Sequence, residues 1–120
     1  MEDPEVVEDA ALDRLLRIGG QEFLLEMIDL FLAHAPERIR SARQALEAGD
    51  HRTLYRAAHS LKSTAGNMGA RGLQGVAERV EGRAAAKDLE SIAPLLQLMA
   101  EQYDGVRDRL EAERKRRSGG

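Results

Sequence analysis

The fold of this chain is decided by the stretch AAHSLKSTAGNMGA, residues 57–70. Apolar residues recur in and just before it every three or four positions, which is the period of one buried stripe of an α-helix. Beside that stripe runs a second one, made of Tyr55, His59, Lys62 and Gly66. The pattern therefore predicts a helix with a histidine beside its core face and a lysine one turn further on. The buried stripe consists of Leu54, Ala58, Leu61, Ala65 and Met68.

Small residues follow the lysine, from Ser63 to Gly66. Serine and threonine are poor helix formers, and an interior glycine costs about 1 kcal/mol relative to alanine. Because helical side chains lean towards the N-terminus, large residues at these positions would cover the space over His59 and Lys62. We therefore predict that Ser63 and Gly66 leave the approach to His59 open for a partner. Tyr55, one turn before His59, is predicted to wall the site or to contact that partner.

The same stretch resembles the signature of the histidine phosphotransfer (HPt) family, which runs His-x-Leu-Lys-Gly-small-small and later has a hydrophobic residue, Gly and often Ala. Ser63 stands where the family often has glycine, and its small size preserves the steric role. Some family members carry a glutamine on the following helix that reaches back towards the histidine. Glu81 stands at that position, and because a carboxylate would repel a phosphoryl group, we assign it no role. The matching residues are His59-Ser60-Leu61-Lys62-Ser63-Thr64-Ala65 and Met68-Gly69-Ala70.

The resemblance implies that His59 is a phosphoacceptor that exchanges a phosphoryl group with an aspartate of a response-regulator receiver domain. It implies Nε2 as the phosphorylated nitrogen, with Nδ1 held by a neighbour. Lys62 is expected to disfavour the imidazolium form and then to attract the phosphoryl oxygens. The implied partners are a receiver domain and a histidine kinase or hybrid kinase. Any Mg²⁺ is expected on the receiver, so we predict no cofactor for this chain.

Composition argues against several other classes. The chain has 120 residues, which suits one helical core, and no cysteine for a disulfide or a thiolate site. Its net charge of −3 argues against nucleic-acid binding, and its three histidines lack the spacing of a zinc site. No apolar run reaches the roughly 18–20 residues of a membrane helix. The sequence also lacks a glycine-rich phosphate loop, so we predict no nucleotide site. Together these observations predict a cytoplasmic carrier that binds no metal and is not an enzyme.

Helical periodicity predicts an all-α fold, an antiparallel up-down-up-down four-helix bundle with a short additional N-terminal helix. That short helix is expected to begin at Asp9 and to stop at Gly19-Gly20. A long helix is then expected from Gln21 to Gly49. Pro36 lies inside it and should kink it, because proline removes one backbone hydrogen bond and clashes with the preceding turn.

The second half of the bundle follows from the same pattern. The histidine helix is predicted to run to about Met68, where Gly69 turns the chain. The next helix is expected to start near Ala70. The last is expected to start near Asp88, to bend at Pro94 and to be the longest in the chain.

We predict a single domain over residues 1–120. Within it, residues 1–8 are expected to be frayed, residues 9–113 to form the helical bundle, and residues 114–120 to form a basic, flexible tail. We interpret the basic run 114–117 as a charge cluster that stabilises a helix C-terminus, and not as a binding patch. The initial methionine and the complete bundle favour a freestanding protein over a piece of a hybrid kinase. The cognate kinase and receiver, and the direction of phosphate flow, are not encoded in any motif.

Two other classes stay open. The dimerisation and phosphoacceptor domain of a histidine kinase is also a helical bundle, but an acidic residue typically follows its histidine and a proline comes soon after. Ser60 and the lack of such a proline count against it. The other class is a helical adaptor in which His59 has no chemistry. Solution mass tests the first alternative, because a carrier is predicted to be a monomer, and labelling by a phosphorylated receiver tests the second.

His34 and His51 lack comparable neighbours and are interpreted as surface residues.

Overall fold

The computed structural model describes residues 6–119, which fold into helices without a strand. The first helix packs against the second and the fourth, and the third helix packs against the same two. The predicted all-α fold is therefore confirmed, with four helices in the described part of the chain. The helices are α1 (Asp9–Ala48), α2 (His51–Asn67), α3 (Arg71–Ala85) and α4 (Ala93–Ser118).

The core is built from the apolar stripes that the periodicity predicts. Every member of the predicted α2 stripe is buried, with Leu54, Ala58, Leu61 and Ala65 fully enclosed and Met68 only 4% exposed. Burying a leucine side chain stabilises the fold by about 1.5–3 kcal/mol. The stripe therefore fixes the rotation of α2 about its axis, and with it the direction in which the second stripe faces.

The backbone of α1 kinks at Gly20, where φ is 77° and ψ is −169°. A positive φ is readily adopted only by glycine, so the chain changes direction where the sequence places a glycine pair. Pro36, in contrast, keeps helical dihedral angles, so the helix is not broken there. Its neighbours Ala35 and Ile39 are buried in the core, and their packing holds the helix together across the missing hydrogen bond.

The predicted start of the last helix is wrong by five residues. Asp88 lies in the loop, where it accepts hydrogen bonds from Ser91 Oγ (2.9 Å) and Arg83 (3.1 Å). The helix begins at Ala93 and places Pro94 in its first turn, where the missing N–H has no intrahelical partner to lose. Proline therefore starts this helix and does not bend it. With 26 residues, α4 is also shorter than the 40 residues of α1, so the prediction that it is the longest helix is wrong.

The predicted flexible tail over residues 114–120 is corrected by the structure, because α4 continues to Ser118. Arg114 binds Asp29 of α1, with 2.6 Å between Nε and Oδ1. Further along, Arg117 hydrogen-bonds to Glu113 and its carbonyl oxygen accepts a hydrogen bond from Gln21. The basic run is helical because its side chains find carboxylates one turn back and on the neighbouring helix.

The predicted frayed N-terminus is corrected in part. Residues 1–5 lie outside the described residues, whereas residues 6–8 are held in place. Val7 is 2% exposed, and the Glu8 backbone N–H donates to the carbonyl of Gly69 at 3.0 Å. The Glu8 carboxylate also binds Arg71 at 2.8 Å. These contacts attach the start of the chain to the turn between α2 and α3.

Glu113 is a charged residue whose side chain is only 1% exposed. It accepts hydrogen bonds from Arg109, Arg116 and Arg117, which lie three or four residues away on the same helix. Burial raises its pKa, but these hydrogen bonds outweigh that effect and lower the pKa to about 2. The carboxylate is therefore charged throughout the neutral range.

Replacing this buried carboxylate should change acid stability. A depressed pKa stabilises the fold fully above pH 4.5, the ordinary glutamate value, and that stabilisation is lost as the pH falls through about 2. We expect Glu113→Gln to reduce the free energy of unfolding by about 2 kcal/mol at neutral pH, since partial exposure of the arginines weakens the pairs. Urea melts between pH 2 and 7 measure this, with the exposed Glu111→Gln as the control. A constant difference from wild type down to pH 2 would contradict the pairing.

Candidate functional site

Helix α2 is fixed at both ends, which makes it a rigid support for the histidine. Asp50 caps its N-terminus by accepting hydrogen bonds from the backbone N–H of Thr53 (3.1 Å) and from the Thr53 hydroxyl (2.6 Å). The hydroxyl bond is the larger cause of a lowered pKa of Asp50, and the backbone bond adds to it. After the helix ends at Asn67, Gly69 turns the chain with a φ of 77°. An alanine at Gly69 would meet strained backbone and close neighbours on the N-terminal segment.

His59 projects from the middle of this helix with 55% of its side chain exposed. The ring of Tyr55, one turn earlier, stacks against it with centroids 5.9 Å apart and an interplanar angle of 9°. Tyr55 is itself 39% exposed. Both rings are accessible from solvent, and the buried residues Ala58 and Leu61 anchor the helix in the core beneath them.

Glu81 on α3 is the residue that sequence reasoning missed. Its Oε2 contacts Nδ1 of His59, and its Oε1 accepts a hydrogen bond from Lys62 Nζ at 2.6 Å. The carboxylate is only 12% exposed. One carboxylate therefore bridges the histidine and the lysine, and α2 and α3 meet at this point. The sequence did hold one indication of this contact, because Glu81 stands where some family members carry a glutamine that reaches towards the histidine.

The charges of this cluster are fixed by the bridge. Burial raises the pKa of Glu81, but the hydrogen bonds from Lys62 and His59 outweigh it and bring the pKa below its usual 4.5. The hydrogen bond to Glu81 raises the pKa of Lys62 above its usual 10.5, against the opposing effect of desolvation. At neutral pH, Glu81 is therefore an anion and Lys62 a cation. The charge of Lys62 is therefore largely offset by Glu81 before any phosphoryl group arrives.

The bridge also determines the tautomer of the imidazole. An ionised carboxylate has no hydrogen to donate, so the contact with Glu81 requires the hydrogen to lie on Nδ1 of His59. In the neutral ring the lone pair is then on Nε2. The site consequently presents a nucleophilic nitrogen whose opposite side is held by a charged acceptor.

The small residues after Lys62 occupy two different environments. Ser63 is exposed on α2, one turn after His59. Gly66 is half-buried, and a Cβ atom there would lie 2.6 Å from Nε2 of Gln74 on α3. The space beside Gly66 is thus filled by Gln74, whereas the space beside Ser63 faces solvent. Ser63 is the better candidate for keeping a docking surface clear.

The other two histidines lack this arrangement. His34 is 53% exposed, and its nearest carboxylate, Glu37, lies 3.9 Å away. His51 lies in the first turn of α2, where it lines a shallow surface depression with Tyr55. Within residues 6–119, no three His, Cys, Asp or Glu side chains cluster in a way that could hold a metal ion.

An exposed histidine on a rigid helix, with its second ring nitrogen held by a carboxylate, is an arrangement that suits phosphoryl transfer. The family model for the Hpt domain matches residues 26–112, and the chain therefore belongs to the Hpt domain family. It is a histidine phosphotransfer carrier of two-component phosphorelays. Proteins of this family exchange phosphoryl groups with kinases and response regulators and are not kinases themselves.

The fold is similar to a solved structure of the same class, that of histidine-containing phosphotransfer protein B (HptB) from Pseudomonas aeruginosa PAO1. The TM-score is 0.90 and the sequence identity 32%, and the match covers 95% of this chain and 98% of that one. No curated protein sequence matches this chain. The family assignment favours a carrier over the kinase dimerisation domain and the adaptor that the sequence left open.

Among the described residues, no helix is both long enough and apolar enough to cross a membrane.

Proposed function

We propose that His59 is the residue that carries the phosphoryl group and exchanges it with an aspartate of a receiver domain. The observation that supports this most is the contact between Nδ1 and Glu81, which leaves Nε2 as the nucleophilic nitrogen of an exposed ring. The stacked ring of Tyr55 limits the rotation of the imidazole. His59 is thus oriented before a partner binds, which lowers the entropic cost of transfer.

In the proposed step, the Nε2 lone pair attacks the phosphorus of the receiver's aspartyl phosphate. The N–P bond forms while the P–O bond to the aspartate breaks, and the departing carboxylate keeps the electron pair. The ring retains its Nδ1 proton and becomes a phosphoimidazolium, whose positive charge Glu81 stabilises. In the reverse step, the phosphoryl group returns to a carboxylate and the ring becomes neutral again.

Lys62 balances the charge of Glu81 in this scheme. Without the ammonium, an uncompensated carboxylate would remain near the incoming phosphoryl oxygens and would repel them. The ion pair is largely shielded, because only 27% of Lys62 and 12% of Glu81 are exposed. The cluster therefore keeps the imidazole oriented while its net charge stays near zero.

Removing the lysine should slow transfer without unfolding the domain. Position 62 lies off the buried stripe, so we expect Lys62→Ala to fold, to accept phosphate about tenfold more slowly and to lose it faster. Lys62→Arg should be milder because it keeps the charge. The measurement is the rate of label transfer from a phosphorylated receiver, with Lys115→Ala on α4 as the control. Equal rates for Lys62→Ala and wild type would mean that the lysine is a solvated neighbour only.

We propose further that the four helices run up, down, up and down, with the segment before Gly20 as a short additional helix. The short connections support this, since only Gly49 and Asp50 separate α1 from α2. We also propose a monomeric, cytoplasmic protein without its own catalytic activity or cofactor, with Mg²⁺ held by the receiver. Solution mass tests the monomer.

The function is tested by incubating the domain with a phosphorylated receiver. The products are separated on a gel that preserves acid-labile phosphate. Label that moves to this chain and is lost in acid supports a phosphohistidine carrier. Label that stays on the receiver contradicts the proposed exchange.

A further inference from the structure

A phosphoryl group on His59 needs a source of positive charge, and Lys62 is already bound to Glu81. A second cation approaches from the other side of α2. Arg38 on α1 donates a hydrogen bond from Nε to the hydroxyl of Ser60, with 3.1 Å between the heavy atoms. Ser60 directly follows His59 in the sequence. Within residues 6–119, Arg38 forms no ion pair with a carboxylate, so its charge is not compensated there.

The two cations lie on opposite sides of the histidine. Successive helical residues are separated by about 100° around the axis. Ser60 is therefore displaced from His59 in one direction and Lys62 in the other. The imidazole projects between the Lys62–Glu81 pair on the α3 side and the Arg38–Ser60 pair on the α1 side.

Arg38 also lies at the surface. Its side chain is exposed, and it lines a groove of about 340 Å³ between α1 and α2 together with Ser60. The bond to Ser60 joins a cation to a neutral hydroxyl, which is weaker than a bond to an anion. A phosphoryl group carries more negative charge and several acceptor oxygens, so it competes favourably for the guanidinium.

We propose that Arg38 supplies the positive charge that stabilises the phosphoryl group once it is on His59, with Ser60 holding the guanidinium nearby until then. The proposal rests on the proposed role of His59 as the phosphoacceptor. A guanidinium that hydrogen-bonds to the phosphoryl oxygens stabilises the phosphorylated state of the histidine. Arg38 therefore lengthens the lifetime of phosphohistidine.

The matched variants are Arg38→Gln, Arg38→Lys and Arg40→Gln. Arg40 is an exposed arginine two residues away on α1 that lines a different surface depression, shared with Tyr103 of α4, so the control removes the same charge from the same helix. Each protein is labelled with phosphoramidate, the donor is removed, and the decay of phosphohistidine is followed at low salt and at 1 M salt. Arg56→Gln is added because Arg56 lies one turn before His59.

We expect Arg38→Gln to shorten the phosphohistidine half-life about threefold at low salt, as befits a partly exposed ion pair. Arg38→Lys should retain most of the wild-type half-life, and Arg40→Gln all of it. At 1 M salt, the phosphohistidine half-life of wild type should fall towards that of Arg38→Gln. This part of the test is made on wild type and does not depend on the folding of any variant. Equal half-lives for Arg38→Gln and Arg40→Gln would overturn the role of Arg38 while His59 stays the carrier. An effect in Arg56→Gln alone would also overturn it. If wild type takes no label at His59 from phosphoramidate or from a phosphorylated receiver, both proposals fail.

Discussion

His59→Gln is expected to fold like wild type and to carry no acid-labile phosphate. The side chain is 55% exposed and lies beside the buried stripe, so glutamine replaces it without disturbing the core. Glutamine offers an amide that can still reach Glu81, but it has no nucleophilic nitrogen. We therefore expect complete loss of label from a phosphorylated receiver. The measurement is an acid-sensitive label on a gel, with a circular dichroism melt to check folding.

The controls for this result are the remaining two histidines. His34→Gln and His51→Gln remove imidazoles that have no carboxylate bridge of the kind that Glu81 provides. Both variants should accept label at the wild-type rate. Label retained in His59→Gln, or lost in either control, would mean that another group accepts the phosphoryl group.

Ser63→Leu is expected to block transfer from the receiver while the domain stays folded. Ser63 is exposed one turn after His59, and leucine is a better helix former, so stability should hold or rise slightly. The leucine side chain leans back over the N-terminal turn, towards the space that a docked partner needs. Displacing the partner by about 1 Å can slow a positioned reaction about a hundredfold. Rates of label transfer and thermal melts measure the two effects.

Labelling by a small phosphoryl donor distinguishes steric exclusion of the receiver from a loss of reactivity of His59. Phosphoramidate needs far less room than a receiver, so its labelling of His59 in Ser63→Leu should survive better than labelling by the receiver. Ala112→Leu adds an exposed leucine to α4, which does not pack against α2, and should behave like wild type in both assays. An early melt of Ser63→Leu would mean that position 63 packs inside the bundle. A normal melt with a wild-type rate from the receiver would mean that the partner docks elsewhere.

The orientation of α2 was predictable because periodicity is a local property of the sequence. Five apolar residues at steps of three and four define the buried face, and that face determines where His59 and Lys62 project. Turns marked by glycine were predictable for the same reason. Gly20 and Gly69 each adopt a φ of 77°, a conformation that side chains disfavour.

The role of Glu81 was not predictable by the same means. Its contacts join residues 19 and 22 positions apart, and they depend on how far α3 is shifted along α2. Repulsion of a phosphoryl group by an isolated carboxylate is a sound argument, but Glu81 is not isolated. Its charge is shared between Lys62 and His59, so it positions the imidazole without presenting a free anion.

The basic end of the chain was misjudged because its charges were considered without their partners. Glu113 lies at the i,i+3 and i,i+4 spacings that join carboxylates to arginines along a helix. That spacing was visible in the sequence and predicts a continued helix. Its burial was not visible, since it depends on packing against the N-terminal part of α1, where Arg109 also reaches Asp9.

The identity of the phosphorylated nitrogen tests the proposed site most directly. Nitrogen-15 NMR of the phosphorylated domain distinguishes the two ring nitrogens of His59 by their coupling to phosphorus. We expect the phosphoryl group on Nε2 and a hydrogen on Nδ1, because Nδ1 donates that hydrogen to the Glu81 carboxylate. Phosphorus on Nδ1, or on a residue other than His59, would contradict the proposed role of the bridge.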